Sequence, residues 1–426
     1  MNRAMLGSIA AWVWTALVCP ATAPAQGIRP KPLLIYYGYP SAINGNWSVA
    51  AAAQEFGRYA YVLWGEGLDD PLHPDHANAL AIASNEAAAQ TRFYGYVDIG
   101  VSTGNLPISE IQTRISRWHS MGLHGVQLDN FGYDFGTSRA RQNVVVDFCH
   151  SLGLAVVANA FWPDQAFGSV ADPAYNPGGA APRLGVSDLY MYESHGVRLG
   201  QFEDVAIWKQ RSDAIEGYRA HMGYRVLSCT SSGTDDPVAY DEAAFFYAWH
   251  AALLYGHEAT GWGEYGYSAA GASNGRAPFR ARPTLDPGHA FGGPVEDAGS
   301  LHSRSTDTGR IELDSASHQY RFIPATGAAP GEPGAPGRTL GAFPNPSRGA
   351  TRFEFTLDRP GGVRLTVYDA AGRRVATLPS RDLSPGRHES MWSGLDDAGA
   401  GVASGIYLVA LESGGSRSLA RFVIVR

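Results

Sequence analysis

The chain has 426 residues, enough for a large domain and a second module. Its 45% hydrophobic and 17% charged residues describe a packed globular protein, not a disordered one. A net charge of −7 gives no electrostatic reason to expect nucleic acid as a partner.

Residues 1–26 read as a secretory signal peptide. Arg3 supplies the positive start, residues 5–18 form an uncharged apolar run, and Ala23-Pro24-Ala25 fits a small-residue cleavage site. The run is too short to span a bilayer comfortably. The expected location is therefore secreted or cell surface. Of the cysteines, Cys149 and Cys229 remain after removal of this segment, and both read as buried thiols.

Apolar strand-like runs alternate with amphipathic helices from about residue 33 to 268, within a barrel domain expected over 27–324. The runs lie at 33–39, 59–64, 92–99, 125–129, 155–161, 187–193, 224–229 and 259–265. Helices are predicted at 108–121, 138–152, 202–222 and 241–255. In the first, Ile108, Ile111, Ile115 and Trp118 recur at helical spacing. Gly122, Gly153, Gly223 and Gly256 stop the four helices. The fold class is α/β, a (β/α)₈ TIM barrel. An open doubly wound sheet is the alternative, but no Gly-rich dinucleotide fingerprint follows the first strand. Strand-like runs at 311–313 and 320–323 are expected to close or cover the barrel.

Residues 325–338 are rich in Pro, Gly and Ala and read as a linker. From 339 to 426 the hydrophobic period changes to two, as in Arg352-Phe353-Glu354-Phe355-Thr356-Leu357. Short strands between turn residues predict an all-β sandwich.

Three predicted barrel strands end in acids: Asp98, Asp129 and Glu193. A carboxylate at a buried strand end is costly for stability alone, and the carboxyl ends of barrel strands are where catalytic groups sit. Glycosidic hydrolysis uses one protonated acid and one ionised carboxylate. The expected catalytic residues are therefore Asp129, Glu193 and Asp98. Asp98 has a second reading, as a holder of loop N–H groups. Tyr37 and Trp64 end early strands and are candidates for stacking on sugar rings, or for core packing. Asn159 ends the fifth strand and is placed to hydrogen-bond a sugar hydroxyl. Glu264 is an alternative acid, and Asp134 is read as a substrate contact, a helix cap or a partner of Arg139. No His-Glu-x-x-His pattern, nucleophile elbow or phosphate loop is present. No cofactor is expected and no zinc site is supported. Loop acids such as Asp235 and Asp236 are the groups a Ca²⁺ ion would use.

The barrel resembles the spherulin-like and endo-α-1,4-polygalactosaminidase-like glycosidases. The resemblance rests on Gly95-Tyr96-Val97-Asp98-Ile99-Gly100, Trp118, the strand ending Leu128-Asp129, Gly132-Tyr133-Asp134-Phe135-Gly136, and Ala158-Asn159-Ala160. It implies hydrolysis of an amino-sugar polysaccharide. Where that family often has a second acid after the fourth strand, this chain has Asn130, which cannot carry a proton as a carboxyl does. Asn130 is accordingly expected to contact substrate. A non-catalytic carbohydrate-binding or adhesive surface barrel is the rival expectation.

The C-terminal module resembles the FlgD-type Ig-like domain, also found as the type IX secretion sorting domain. The matching residues include Phe343-Pro344-Asn345-Pro346, Val367-Tyr368-Asp369, Trp392-Ser393-Gly394 and Ser404-Gly405-Ile406-Tyr407. The resemblance implies secretion machinery or the cell surface as a partner.

Overall fold

A computed structural model describes residues 27–65, 67–232, 240–268, 275–325, 340–357, 360–369, 373–384, 386–413 and 416–425. It divides into two compact units, Met1–Ala328 and Ala329–Arg426.

In the first unit eight strands form a closed, all-parallel barrel: β1 (Lys31–Tyr36), β2 (Tyr61–Trp64), β3 (Arg92–Asp98), β4 (Gly125–Asp129), β5 (Ala155–Ala158), β6 (Leu189–Glu193), β7 (Arg225–Cys229) and β8 (Ala259–Gly261). Each pairs with its sequence neighbour, and Lys31 opposite Ala259 closes the ring. Among the described residues, seven helices lie between or beside the strands: α1 (Val49–Phe56), α2 (His76–Ala83), α3 (Ile108–Ser120), α4 (Arg139–Ser151), α5 (Pro163–Phe167), α6 (Val205–Met222) and α7 (Glu242–Leu254). The glycines expected to stop α3, α4, α6 and α7 do so. Gly122, Gly153, Gly223 and Gly256 all take positive φ, where a side chain would be strained.

Strand alternation sorts the apolar residues into two layers. Leu33, Ile35, Tyr61, Leu63, Tyr94 and Met191 pack inside the barrel. Leu34, Tyr36, Val62, Trp64, Phe93 and Leu128 belong to the cluster between barrel and helices. This parity corrects the reading of Trp64. It shares a face with Val62, is fully buried, and packs on Phe56 and Phe93, so it cannot meet a sugar.

Gly95 on β3 allows a close approach. A Cβ there would sit 2.1 Å from the Trp118 ring, whose indole N–H donates to the Tyr96 carbonyl at 3.1 Å. The pair seats α3 against β3 and fixes the strand that carries Tyr96.

After β8 the chain builds a four-stranded antiparallel sheet, Glu296–Ala298, Leu301–Ser305, Gly309–Asp314 and Gln319–Pro324. It covers α7 and does not close the barrel: Ile311, Leu313, Tyr320 and Phe322 join the same apolar cluster as Phe245, Trp249 and Leu253. Cys149 and Cys229 are buried and not joined in a disulfide.

The second unit has a three-stranded sheet (Leu340–Phe343, Thr351–Leu357, Gly386–Trp392) and a five-stranded one. The latter holds Gly361–Asp369, Arg374–Thr377, Arg381–Leu383, Gly405–Ser413 and Ser416–Ile424. Phe353, Phe355, Val367, Trp392, Val409 and Phe422 form its core.

Candidate active site

The inward face of the barrel ends in polar groups at the carboxyl ends of the strands. Asp129 follows Gln127 on β4, Asn159 follows Val157 just past β5, and Glu193 follows Met191 on β6. Two-residue alternation points all three at the axis.

They are joined by hydrogen bonds. The Asn159 amide nitrogen donates to Asp129 Oδ1 at 2.8 Å and to Glu193 Oε2 at 3.1 Å. Two bonds that share a nitrogen place these oxygens no more than about 6 Å apart. Each carboxylate's other oxygen is held by a tyrosine. Tyr96 donates to Asp129 Oδ2 at 2.8 Å, and Tyr267 donates to Glu193 Oε1 at 2.5 Å. The result is one chain, Tyr96–Asp129–Asn159–Glu193–Tyr267. Tyr37 lies between the two tyrosines, edge-on to Tyr96 at 5.5 Å and to Tyr267 at 5.2 Å.

Burial, and then the neighbouring Glu193 carboxylate, raise the Asp129 pKa to about 6 against the opposing pull of its hydrogen bonds. Burial also holds the Tyr37 and Tyr267 phenols, and the Cys229 thiol beside them, in their neutral forms. No Lys or Arg side chain among the described residues bonds to either carboxylate. The Arg211 guanidinium reaches the Glu193 backbone carbonyl, not its carboxylate, at 3.3 Å. It lies behind β6, paired with buried Glu203 at 3.1 Å and against the Tyr192 ring at 4.0 Å.

Of the sequence candidates, the structure thus brings together Asp129, Glu193, Asn159 and Tyr37. Asp98 departs from the expected catalytic role. Its Oδ1 accepts from Gly100 N, Thr103 Oγ1 and Asn130 Nδ2, and its Oδ2 from Gly104 N, all within 2.9 Å. Burial alone would raise its pKa, but these four donors hold it below the usual carboxylate value. Asp98 anchors the loop after β3. Asn130 is its donor, so its amide is engaged with protein and not directed at substrate.

Asp134 performs neither of its two structural readings. Ser138 caps α4, and Arg139 donates to the carbonyls of Gln165, Ala166 and Gly168. Glu264 is buried and bonded to Arg280 at 2.6 Å, which ties down the segment after β8. Asp235 and Asp236 fall outside the described residues.

Tyr96 and Tyr267 were not singled out from sequence. Tyr96 had a signal, since it precedes Asp98 by two and so shares the inward face. Tyr267 had none, because it lies in an irregular turn past β8. A groove of 560 Å³ on the outside of the helix layer, lined by Asp69, His76, Gln112 and Arg117 among others, involves neither carboxylate. The linked carboxylates are at the barrel mouth.

With this geometry in view, comparison with known proteins adds a second fact. Residues 345–416 match the FlgD Ig-like domain family. The C-terminal module is a FlgD Ig-like domain. Among solved structures, FlgD from Xanthomonas campestris is 27% identical, covering 20% of this chain and 62% of that one, with a TM-score of 0.17. FlgD from P. aeruginosa is 22% identical over 17% of this chain and 59% of that one, at a TM-score of 0.16. This chain therefore spans less than two thirds of either. A glucosidase from Croceicoccus marinus aligns over 87% of this chain and 94% of its own, at 10% identity and a TM-score of 0.38. No curated protein matches the chain.

Proposed function

We propose that the barrel is a glycoside hydrolase acting on an amino-sugar-containing polysaccharide. We further propose that the chain is exported and that its FlgD Ig-like domain serves sorting or surface attachment. The observation that carries the enzymatic reading is the Asp129–Glu193 pair, bridged by one amide within about 6 Å at the barrel mouth. Double-displacement glycosidases hold their carboxyl groups roughly 5–5.5 Å apart, and single-displacement enzymes leave roughly 6.5–9.5 Å for a water. The spacing here supports the double-displacement route, with retention at the anomeric carbon. One carboxyl protonates the leaving oxygen while the other attacks the anomeric carbon. Water then cleaves the glycosyl ester as the first carboxylate takes its proton. The raised Asp129 pKa, about 6, supports a pair that keeps a proton to mildly acidic pH.

The lining supports the choice of sugar. Two carboxylates and three tyrosines, with no Lys or Arg among the described residues bonded to the pair, suit a neutral or amine-bearing ring better than an acidic one. The test is a reducing-end assay over amino-sugar, neutral and acidic polysaccharides with the full chain, Asp129→Asn and Glu193→Gln. Release of reducing ends by the parent and not by either variant is expected. Binding of a polysaccharide with no release in any condition would replace the enzyme by a binding barrel.

A further inference from the structure

Trp47 stands out in the loop between β1 and α1. It is 72% exposed, and its backbone is left-handed (φ 49°). A bulky residue in that conformation is strained and persists only when its surroundings enforce it. The enforcement is visible on both sides. Asn46 N donates to Ile43 O and Ser48 N to Ser41 O, both at 3.1 Å. Ser41 is clamped by buried Asp75 through its backbone N–H (2.8 Å) and its hydroxyl (2.6 Å). Asn44 locks the loop to the neighbouring segment that follows β8, exchanging bonds with Ala277 at 2.8 and 3.2 Å and donating to Gly275 O at 2.5 Å. Gly275 in turn donates to Ser268, the neighbour of the tyrosine that holds Glu193. The indole is thus presented to water by a rigid frame that is continuous with the carboxylate pair.

The surrounding face has the same character. Among the described residues of this unit, exposed Tyr39, Trp47, Leu72, Val101, Leu199 and Phe202 all lie in loops that follow barrel strands. Leu80, Val144 and Val205 are exposed on helices, and Val170 and Val186 in the connection leading into β6. Trp47 is the largest of these exposed side chains, and it lies on the strand-end face, where a ligand site of a barrel is built. A preorganised aromatic plane loses little entropy on binding, and the apolar C–H face of a sugar ring is its natural complement.

We propose that Trp47 is a subsite for a sugar ring remote from the bond being cleaved, so that the protein distinguishes long chains from short ones. The inference rests on the polysaccharide reading, but not on catalysis. It is tested on the full chain with Glu193→Gln as background, binding to an array of amino-sugar, neutral and acidic glycans of graded length. Adding Trp47→Ala is expected to weaken binding of the longest chains about threefold to tenfold, the range of one aromatic contact, and to leave the shortest nearly unchanged. Trp47→Gly also removes the backbone strain. It should match Trp47→Ala in binding while melting higher, which separates loss of the ring from loss of the fold. Equal binding by all variants, or no glycan bound at all, would overturn the subsite. So would a loss confined to self-association, which would make Trp47 a protein contact. Trp47-dependent binding without turnover in the reducing-end assay would sink the hydrolase and leave the subsite standing.

Discussion

Asn130 follows Asp129 in a left-handed backbone (φ 53°) and donates its amide to Asp98 at 2.9 Å. Asn tolerates that conformation better than most residues, and only its amide form is a donor. Asn130→Asp would set two carboxylates against each other and is expected to cost about 1–3 kcal/mol, seen as a lower Tm at neutral pH. Asp98 itself has a pKa lower in the folded chain than in the unfolded one. Its stabilisation is therefore present above the unfolded value and lost as pH falls through the folded value. Asp98→Asn should destabilise most near pH 7 and least in acid, as thermal melts over a pH series will show. Asp129 has the opposite sign. With a folded pKa of about 6, it stays protonated in the folded chain where the unfolded chain has ionised, so stability falls as pH rises from the unfolded value toward 6. Asp129→Asn is expected to raise stability by roughly 1–2 kcal/mol at pH 7, to give little gain near pH 4, and to lower turnover ~10³-fold or more. Asn159→Ala removes a donor from both acids at once. The acidic limb of the pH–rate profile should move up by about one unit, whereas a merely structural residue would change Tm alone.

At the scale of elements, α7 has no polar face: its buried residues run from Ala244 to Leu254 with only single interruptions. Such a helix needs cover on both sides. The barrel gives one side and the sheet from Glu296 to Pro324 the other. Deleting residues 296–324 should expose that second face, and size-exclusion chromatography should then show aggregates instead of a monodisperse barrel. The barrel strands were legible because continuous apolar runs bounded by helix-stopping glycines admit few other readings. Asp129, Asn159 and Glu193 were legible as strand ends, but not their linkage, since hydrogen bonds between strands 30 or more residues apart leave no local pattern. Trp64 takes the second of its two readings, core packing, because the parity of its strand, not its position at the end, decides which layer it enters. Asp98 carried two readings that composition could not separate, and the turn from Gly100 to Gly104 separates them.

At the scale of the molecule, the two compact units have separate cores, one centred on the barrel and one on Phe353, Trp392 and Phe422. A chain ending near residue 330 is expected to keep a cooperative barrel transition and any hydrolytic activity while losing its normal location. Broad melting of that truncated chain would show that the barrel depends on the second unit. The chain of bonds from Tyr96 to Tyr267 has a kinetic meaning as well. It draws on β3, β4, β5, β6 and the turn past β8, so its ends are separated by most of the barrel sequence. No half-barrel can assemble it, and loop-closure entropy must be overcome before any of these bonds forms. Activity should therefore return only in the slowest refolding phase, after helical signal has recovered, making the carboxylate pair a reporter of ring closure.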